Sequence, residues 1–251
     1  MLLVAHGSRD PRHAATVHAL VRRVRSGRPG LRVEAGFLDF GPPSVPAMLE
    51  SLATEGARDV VALPLLLTRG FHARIDIPAL IRQAPPGLRV VRADVLAPSP
   101  LLLSALERRL YEAGLTPADK SSTGVVLASA GSTAPEAIAE VAHVARELRR
   151  TGWCSVRPAF ASGPLPRPRD ASRVLRAAGV PRVALAPLFL APGRLLDRLR
   201  ADARHCGVDV CADALGDTPE TALLVCHRHA SALGSRMSAR DQPRLPESPQ
   251  Q

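Results

Sequence analysis

The sequence contains almost no lysine and few aromatic residues. Lys120 is the only lysine among 33 basic residues, aromatic residues make up 3% of the chain, and the formal net charge is +10. Such a surplus of arginine is consistent with an anionic partner, either a nucleic acid or a small polycarboxylate. Because aromatic residues are scarce and no helix is densely basic, nucleic-acid binding is the weaker interpretation.

Cysteine is also scarce, and long hydrophobic runs are absent. The four cysteines form no C-x-x-C pair, and their spacing fits neither a zinc ribbon nor a disulfide framework. No apolar run reaches the roughly 18 residues that a membrane-spanning helix needs. The first residues lack the basic segment and long apolar stretch of a secretory signal. We therefore expect a cytoplasmic protein with reduced thiols and no membrane partner.

Short apolar runs alternate with amphipathic stretches along the whole chain. This pattern predicts an α/β fold with two tandem domains, each a parallel four-stranded sheet flanked by helices. The predicted strands are 2–5, 31–40, 59–68 and 88–95 in the first half, and 124–129, 154–161, 181–190 and 207–213 in the second.

The polar segment 116–123 separates the two series and is predicted to be a linker. The first domain then spans 1–115 and the second spans 124–234. The segment 235–251, rich in proline, glutamine and serine, is predicted to be a disordered tail.

The second series repeats the first. The matching segments are VAHGSRDP at 4–11 with ASAGSTAP at 128–135, VALPLLLTRGFH at 61–72 with ALAPLFLAPGRL at 184–195, and ADVLAPSP at 93–100 with ADALGDTP at 212–219. Their offsets are 124, 123 and 119 residues, and their order is the same. We interpret this as an internal duplication.

The two copies differ at the ends of their strands, where only the first carries candidate functional groups. The corresponding residues are His6 and Ala130, Asp39 and Ser162, and His72 and Leu195. A histidine required for folding would be required in both copies, so the difference indicates a functional role.

The carboxyl ends of parallel strands meet at one edge of a sheet, which is where α/β proteins bind ligands. We therefore expect His6, Asp39 and His72 to converge. Two imidazoles and a carboxylate suit a divalent transition metal such as iron, cobalt or nickel, and imidazole also serves as a base near neutral pH.

Three segments resemble the sirohydrochlorin chelatase family of the CbiX type. They are HGSRDP after the first strand, FLDFGPPS at 37–44 and PLLLTRGFHARIDIP at 64–78. The family pattern has a histidine in an HGS loop, a glutamate in F-x-E, and a histidine in a G-x-H segment that ends in DIP. The first half matches this pattern closely, and the second half resembles the degenerate repeat of the long, fused members.

The resemblance implies a lyase that inserts Co²⁺ or Fe²⁺, as the substrate metal, into sirohydrochlorin for cobalamin or sirohaem biosynthesis, with no organic cofactor. It implies that the active site lies in the first domain and that His6 and His72 are metal-binding and catalytic residues. Asp39 occupies the position of the family glutamate, and its carboxylate is drawn back by about 1.5 Å. The fused form implies a monomer that is an internal pseudo-dimer, with a cleft between its halves.

Sirohydrochlorin is a polycarboxylate, so binding of this substrate would explain the surplus of arginine. Ser8, Arg9, Arg69 and Arg74 flank the three motifs, and we expect them to contact substrate carboxylates.

Two alternatives stay open. A non-catalytic carrier of metal or tetrapyrrole with the same fold would also use His6 and His72. The replacement of the family glutamate by Asp39 is compatible with such a carrier. A histidine phosphatase would use His6 as its nucleophile, but Ala5 stands where that chemistry usually has an arginine.

Overall fold

The structure, a computed structural model, describes residues 1–163 and 165–240. The strands in this part of the chain are β1 (Leu2–Ala5), β2 (Glu34–Phe37), β3 (Asp59–Pro64), β4 (Arg89–Arg92), β5 (Thr123–Ser129), β6 (Ser155–Phe160), β7 (Arg182–Leu188) and β8 (Val210–Cys211). The helices are α1 (Pro11–Gly27), α2 (Val45–Thr54), α3 (Ile77–Arg82), α4 (Pro100–Glu112), α5 (Pro135–Arg150), α6 (Pro168–Ala177), α7 (Arg194–Arg204) and α8 (Pro219–Arg240).

The strands form two parallel sheets with the same topology. The first has the order β2-β1-β3-β4 and the second has the order β6-β5-β7-β8. The predicted α/β fold with two parallel four-stranded sheets is therefore confirmed. Because β1 and β3 are neighbours, the segments that follow them leave the sheet side by side.

Four helices lie between the two sheets. Residues of α1, α4, α5 and α8 belong to one hydrophobic core, which includes the buried side chains of Leu20, Leu106, Leu148 and Val225. Smaller clusters bury α2 and α3 against the outer face of the first sheet, and α6 and α7 against that of the second. Burying one leucine side chain contributes about 1.5–3 kcal/mol, so the shared core ties the two halves together.

Contacts between the halves follow the duplication. The Arg109 guanidinium donates to the carbonyl oxygen of Leu215, with an Nη2–O distance of 3.0 Å. The Arg228 guanidinium donates to the carbonyl oxygen of Leu96 at the same distance of 3.0 Å. At the offset of 119 residues, Arg109 corresponds to Arg228 and Leu96 corresponds to Leu215. Each half therefore makes the same contact with the other, as expected for a pseudo-twofold rotation.

A glycine after the first strand of each half makes the same tight turn. Gly7 has a φ of +93°, and a Cβ atom there would lie 1.6 Å from the carbonyl oxygen of Asp39. Gly131 has a φ of +106°, and a Cβ atom there would lie 2.0 Å from the carbonyl oxygen of Ser162. Only glycine fits such a position, which explains why the HGS and AGS segments both retain it.

Several predicted boundaries were wrong. The predicted strands at 31–40 and 207–213 shorten to β2 and β8, because the flanking residues leave the sheet. Helix α8 continues to Arg240, beyond the predicted start of the tail at 235, since the first proline of that segment is Pro243. The rest of the predicted tail, 241–251, lies outside the described residues.

The predicted linker at 116–123 contains a short 3₁₀ helix, Pro117–Ser122, and β5 begins at Thr123. Among the residues that the structure describes, no helix is both long enough and apolar enough to cross a membrane.

Candidate functional site

His6 is the first residue after β1, a strand that is buried along its whole length. The imidazole is half-buried, and its Nδ1 lies 3.0 Å from the carbonyl oxygen of Gly7. Because a carbonyl oxygen can only accept a hydrogen bond, Nδ1 carries the hydrogen in this contact. In the neutral ring, the lone pair is then on Nε2.

His72 opens a π-helical turn that follows β3. The amide of Ile77 donates to the carbonyl oxygen of His72 and closes the wide turn. The next residue, Pro78, lacks an amide hydrogen and therefore cannot donate the hydrogen bond to a carbonyl four residues earlier that an ordinary α-helix requires. In this turn the Nδ1 of His72 lies 2.5 Å from Oδ2 of Asp76. The carboxylate holds the hydrogen on Nδ1 and leaves the lone pair of His72 on Nε2.

The two imidazoles meet through their Nε2 atoms. These atoms are 3.0 Å apart, and the rings are nearly perpendicular, with centroids separated by 4.4 Å. Two neutral rings with these tautomers direct two lone pairs at each other, so a metal cation between them would be bound favourably. With metal–nitrogen bonds of about 2.1 Å, this separation corresponds to an angle of about 90° at the metal, as between neighbouring ligands of an octahedral ion.

Asp39 does not join this pair. Its main-chain amide donates to the carbonyl oxygen of His6 at 2.9 Å, but its side chain is exposed. Among the described residues, no three His, Cys, Asp or Glu side chains are grouped as a metal site. The structure therefore brings His6 and His72 together but does not assemble the three-ligand set that was predicted with Asp39.

Two of the predicted substrate-binding arginines are engaged with acids. The guanidinium of Arg69 forms ion pairs with Asp94 and with Glu140 of α5, and the amide of Arg69 also donates to Glu140 at 2.7 Å. Arg74 forms an ion pair with Glu136 of α5 at 3.0 Å. Both arginines therefore connect the first half to the second, a role that their position beside the motifs did not predict.

Ser8 and Arg9 lie in the loop that carries His6. The hydroxyl of Ser8 accepts a hydrogen bond from the amide of Asp10 at 3.0 Å, which shapes the entry into α1. The guanidinium of Arg9 is exposed and lies 4.8 Å from the centre of the Phe40 ring, in a cation–π contact. Of the predicted arginines, Arg9 is the one that has no ion pair within the described residues.

Two ion pairs at equivalent positions of the duplication join the halves. Arg12 of α1 pairs with Asp197 of α7 at 2.5 Å, and Arg74 pairs with Glu136 of α5 at 3.0 Å. Residue 12 corresponds to 136, and residue 74 corresponds to 197. At these positions the first half therefore presents only cations and the second half only anions.

Three exposed apolar side chains lie on the segments that carry the candidate site residues. Phe40 is 54% exposed, Phe71 64% and Ile75 53%, and the Phe71 ring packs edge-on against His72 at a centroid distance of 6.0 Å. Large exposed apolar groups mark sites that bind apolar surfaces. The sequence reasoning missed them, although all three lie inside the quoted motifs.

Asp76 was missed in the same way. It lies inside the quoted segment HARIDIP, four residues after His72. That spacing brings side chains together on a helical turn, and it was the available signal for a carboxylate that orients the histidine.

Comparison with known proteins assigns both halves to one family. The model of the CbiX family matches residues 1–113 and again residues 124–232.

Individual relatives agree with this assignment. A sirohydrochlorin cobaltochelatase of Priestia megaterium is 29% identical over 206 residues, which is 79% of this chain and 66% of the relative, so the chain spans slightly less than two thirds of that protein. A sirohydrochlorin ferrochelatase of the same species is 22% identical over 94% of this chain and 91% of its own length. The structure of SirB from Bacillus subtilis with Fe³⁺ superposes with a TM-score of 0.80 at 22% identity, covering 94% of this chain and 96% of SirB, which shows a shared fold.

Proposed function

The chain belongs to the CbiX family, and from this we propose that it is a sirohydrochlorin chelatase that inserts Co²⁺ or Fe²⁺ into the tetrapyrrole. In this reaction the metal replaces two pyrrole N–H protons. The protein must therefore hold a partly dehydrated metal ion against one face of the macrocycle and accept protons. Named relatives of both kinds, a cobaltochelatase and a ferrochelatase, support the reaction class and leave the choice of metal to experiment.

The observation that carries this proposal is the contact between the Nε2 atoms of His6 and His72. Each imidazole donates the hydrogen on its Nδ1 to a protein oxygen, so the Nε2 atoms of both rings are available as metal ligands at the same time. Two neutral imidazoles bind a divalent ion without cancelling its charge. The remaining coordination positions stay open to water and to the pyrrole nitrogens.

The histidine pair and its neighbours also provide acceptors for the pyrrole protons. Once the metal leaves for the macrocycle, the Nε2 atoms of His6 and His72 become free to accept protons, and Asp76 stabilises the charge that then forms on His72. The exposed carboxylate of Asp39, on the loop hydrogen-bonded to His6, is a further acceptor and a further metal ligand after a change of side-chain rotamer.

The surroundings suit a flat ring with a charged edge. Phe40, Phe71 and Ile75 offer apolar contacts to the macrocycle. Arg9 and the hydroxyl of Ser8 are accessible to its carboxylates, whereas Arg69 and Arg74 bind them only by exchanging their protein acids for substrate carboxylates.

The test is an anaerobic chelation assay with sirohydrochlorin and either metal, followed by the absorbance of the macrocycle. We expect insertion well above the spontaneous rate, and a fall of about 100-fold or more in His6→Ala and in His72→Ala, because each removes a direct metal ligand. His227→Ala is the matched control, since this histidine is exposed on α8 and its loss is expected to leave the rate unchanged.

The carrier alternative is favoured by one observation, the separation of Asp39 from the histidine pair. A carrier would bind sirohydrochlorin or the metal through His6 and His72 and accelerate nothing. Tight binding without acceleration by either metal would contradict the chelatase proposal and support the carrier, and Asp39→Glu would then test whether the longer carboxylate creates activity.

A further inference from the structure

Helix α7 of the second half carries two arginines where the first half carries apolar side chains. Arg194 corresponds to Phe71 and Arg198 corresponds to Ile75, each at the 123-residue offset that relates His72 to Leu195. Phe71 and Ile75 are exposed beside the histidine pair. The duplication has therefore kept an exposed pair of side chains in both halves and made one pair apolar and the other cationic.

The first turns of α7 border the loop that carries His6. Asp197, between the two arginines, forms the ion pair with Arg12 in the first turn of α1. The pKa of Asp10, the N-cap residue of α1, is lowered chiefly by its hydrogen bonds with Arg12, and the charge of the nearby Arg194 adds a smaller contribution in the same direction. Arg198 follows Arg194 by four residues, so both occupy the same face of α7.

Both guanidinium groups are exposed, and neither has a hydrogen bond or an ion pair to any residue that the structure describes. This distinguishes them from Arg12, Arg69 and Arg74, which are held by acids. A pair of unengaged guanidinium groups beside the candidate site is suited to bidentate binding of carboxylates.

We propose that Arg194 and Arg198 bind peripheral carboxylates of the tetrapyrrole, so that the second half recognises the charged edge of the substrate while the first half holds the metal and contacts the ring. This inference rests on the proposed function, and it assigns a substrate-binding role to the repeat that lacks the histidines.

The test is the double variant Arg194→Ala/Arg198→Ala in the full-length chain, assayed for chelation and for direct binding of sirohydrochlorin by absorbance titration without metal. We expect a rise of about 10- to 100-fold in KM and in Kd for the tetrapyrrole. Little change is expected in kcat or in the KM for the metal, because contacts at the periphery are equal in the ground and transition states. Raising the salt concentration is expected to weaken binding by the wild type more than by the variant.

Arg146→Ala/Arg150→Ala is the matched control. This variant removes the same charge at the same spacing from the C-terminal end of α5, whereas the N-terminal end of that helix contacts Arg74. Arg146 and Arg150 are also exposed. Arg194→Lys/Arg198→Lys is expected to recover part of the affinity, because charge is kept and bidentate geometry is lost. Arg194→Phe/Arg198→Ile gives the second half the side chains of the first and is expected to bind as poorly as the alanine variant.

An unchanged KM and Kd in the alanine variant, or an equal loss in the control, would overturn this inference while leaving the chelatase proposal intact. If the wild type binds sirohydrochlorin but inserts neither metal, the proposed catalysis fails and the titration still decides the role of the two arginines. Because the substituted side chains are exposed, the thermal midpoint of the variant is expected to match that of the wild type.

Discussion

At the scale of single residues, the candidate site depends on which nitrogen of each histidine carries the hydrogen. His6 is oriented by the carbonyl of Gly7, and His72 is oriented by the carboxylate of Asp76. Neither partner needs to touch the metal. Each leaves an Nε2 lone pair directed into the space that the two rings share, and this is the property that a metal ligand requires.

Asp76 is therefore predicted to act as a positioning residue. In Asp76→Asn the side-chain amide can donate to Nδ1, which favours the tautomer of His72 with hydrogen on Nε2. We expect chelation to fall about 10- to 100-fold and Co²⁺ binding by the protein, followed by its visible absorption, to weaken in parallel.

The control for Asp76 is Asp59→Asn, the same change at a carboxylate that pairs with Arg89 at the opposite end of β3. Equal activities of Asp76→Asn and the wild type, with equal Co²⁺ spectra, would show that Asp76 does not orient the histidine.

At the scale of secondary structure elements, the two halves contribute opposite charges to the contact between α1 and α7 and to the contact between α5 and the π-helical turn. The first half contributes Arg12 and Arg74, and the second half contributes Asp197 and Glu136. If two first halves met in the same arrangement, Arg12 would face Arg74, and two second halves would bring two acids together. The charges therefore favour pairing between unlike halves over pairing between like halves.

An exchange of charges tests this arrangement. Glu136→Arg places a cation against Arg74 and is expected to lower Tm by about 2 °C, since exposed ion pairs contribute little. Adding Arg74→Glu restores an attractive pair and is expected to recover most of the loss. Both effects should shrink in about 1 M salt, where charges are screened within about 3 Å.

This arrangement would be contradicted if the decrease in Tm of the double variant were as large as, or larger than, the sum of the decreases in Tm of the two single variants. Glu50→Arg, at an exposed residue of α2, makes the same change of net charge as Glu136→Arg and serves as the control.

At the scale of the whole molecule, one core unites both halves, so groups buried within it influence the stability of the entire chain. Burial lowers the pKa of His13 in α1, assisted by the charge of His6 and opposed by Asp10. Burial also lowers the pKa of His229 in α8, assisted by the amino terminus and by Arg28. Both imidazoles are therefore held in their neutral form by folding.

The sign of the pH dependence follows from these shifts. Unfolding returns each histidine to a pKa of about 6.5, so below that pH the unfolded state binds more protons and the free energy of unfolding falls. We expect denaturant midpoints to decrease from pH 8 to pH 5, and His13→Asn/His229→Asn to show a shallower decrease. The control His227→Asn, at an exposed neighbour of His229, should retain the slope of the wild type, and equal slopes in all three proteins would contradict the prediction.

Much of this organisation could be predicted from the sequence, because it depends on local periodicity and on comparison of the two copies. The alternation of strands and helices predicted both parallel sheets, and the positions of His6 and His72 at the carboxyl ends of their strands predicted that the two side chains would converge. Boundaries were less predictable where pairing ends for tertiary reasons, as at β8, which is reduced to Val210–Cys211.

The sequence by itself therefore determined the duplicated fold and the pair of histidines, because the alternation of strands and helices places the carboxyl ends of all the parallel strands, and with them the loops that carry His6 and His72, at one edge of the sheet. Only the tertiary structure decided the position of the Asp39 side chain and the partners of Arg69 and Arg74. It also decided that Arg194 and Arg198 have no hydrogen-bond or ion-pair partner in the described part of the chain. These depend on how two halves that are distant in sequence pack together, and no local pattern specifies which long, flexible side chains meet across that interface.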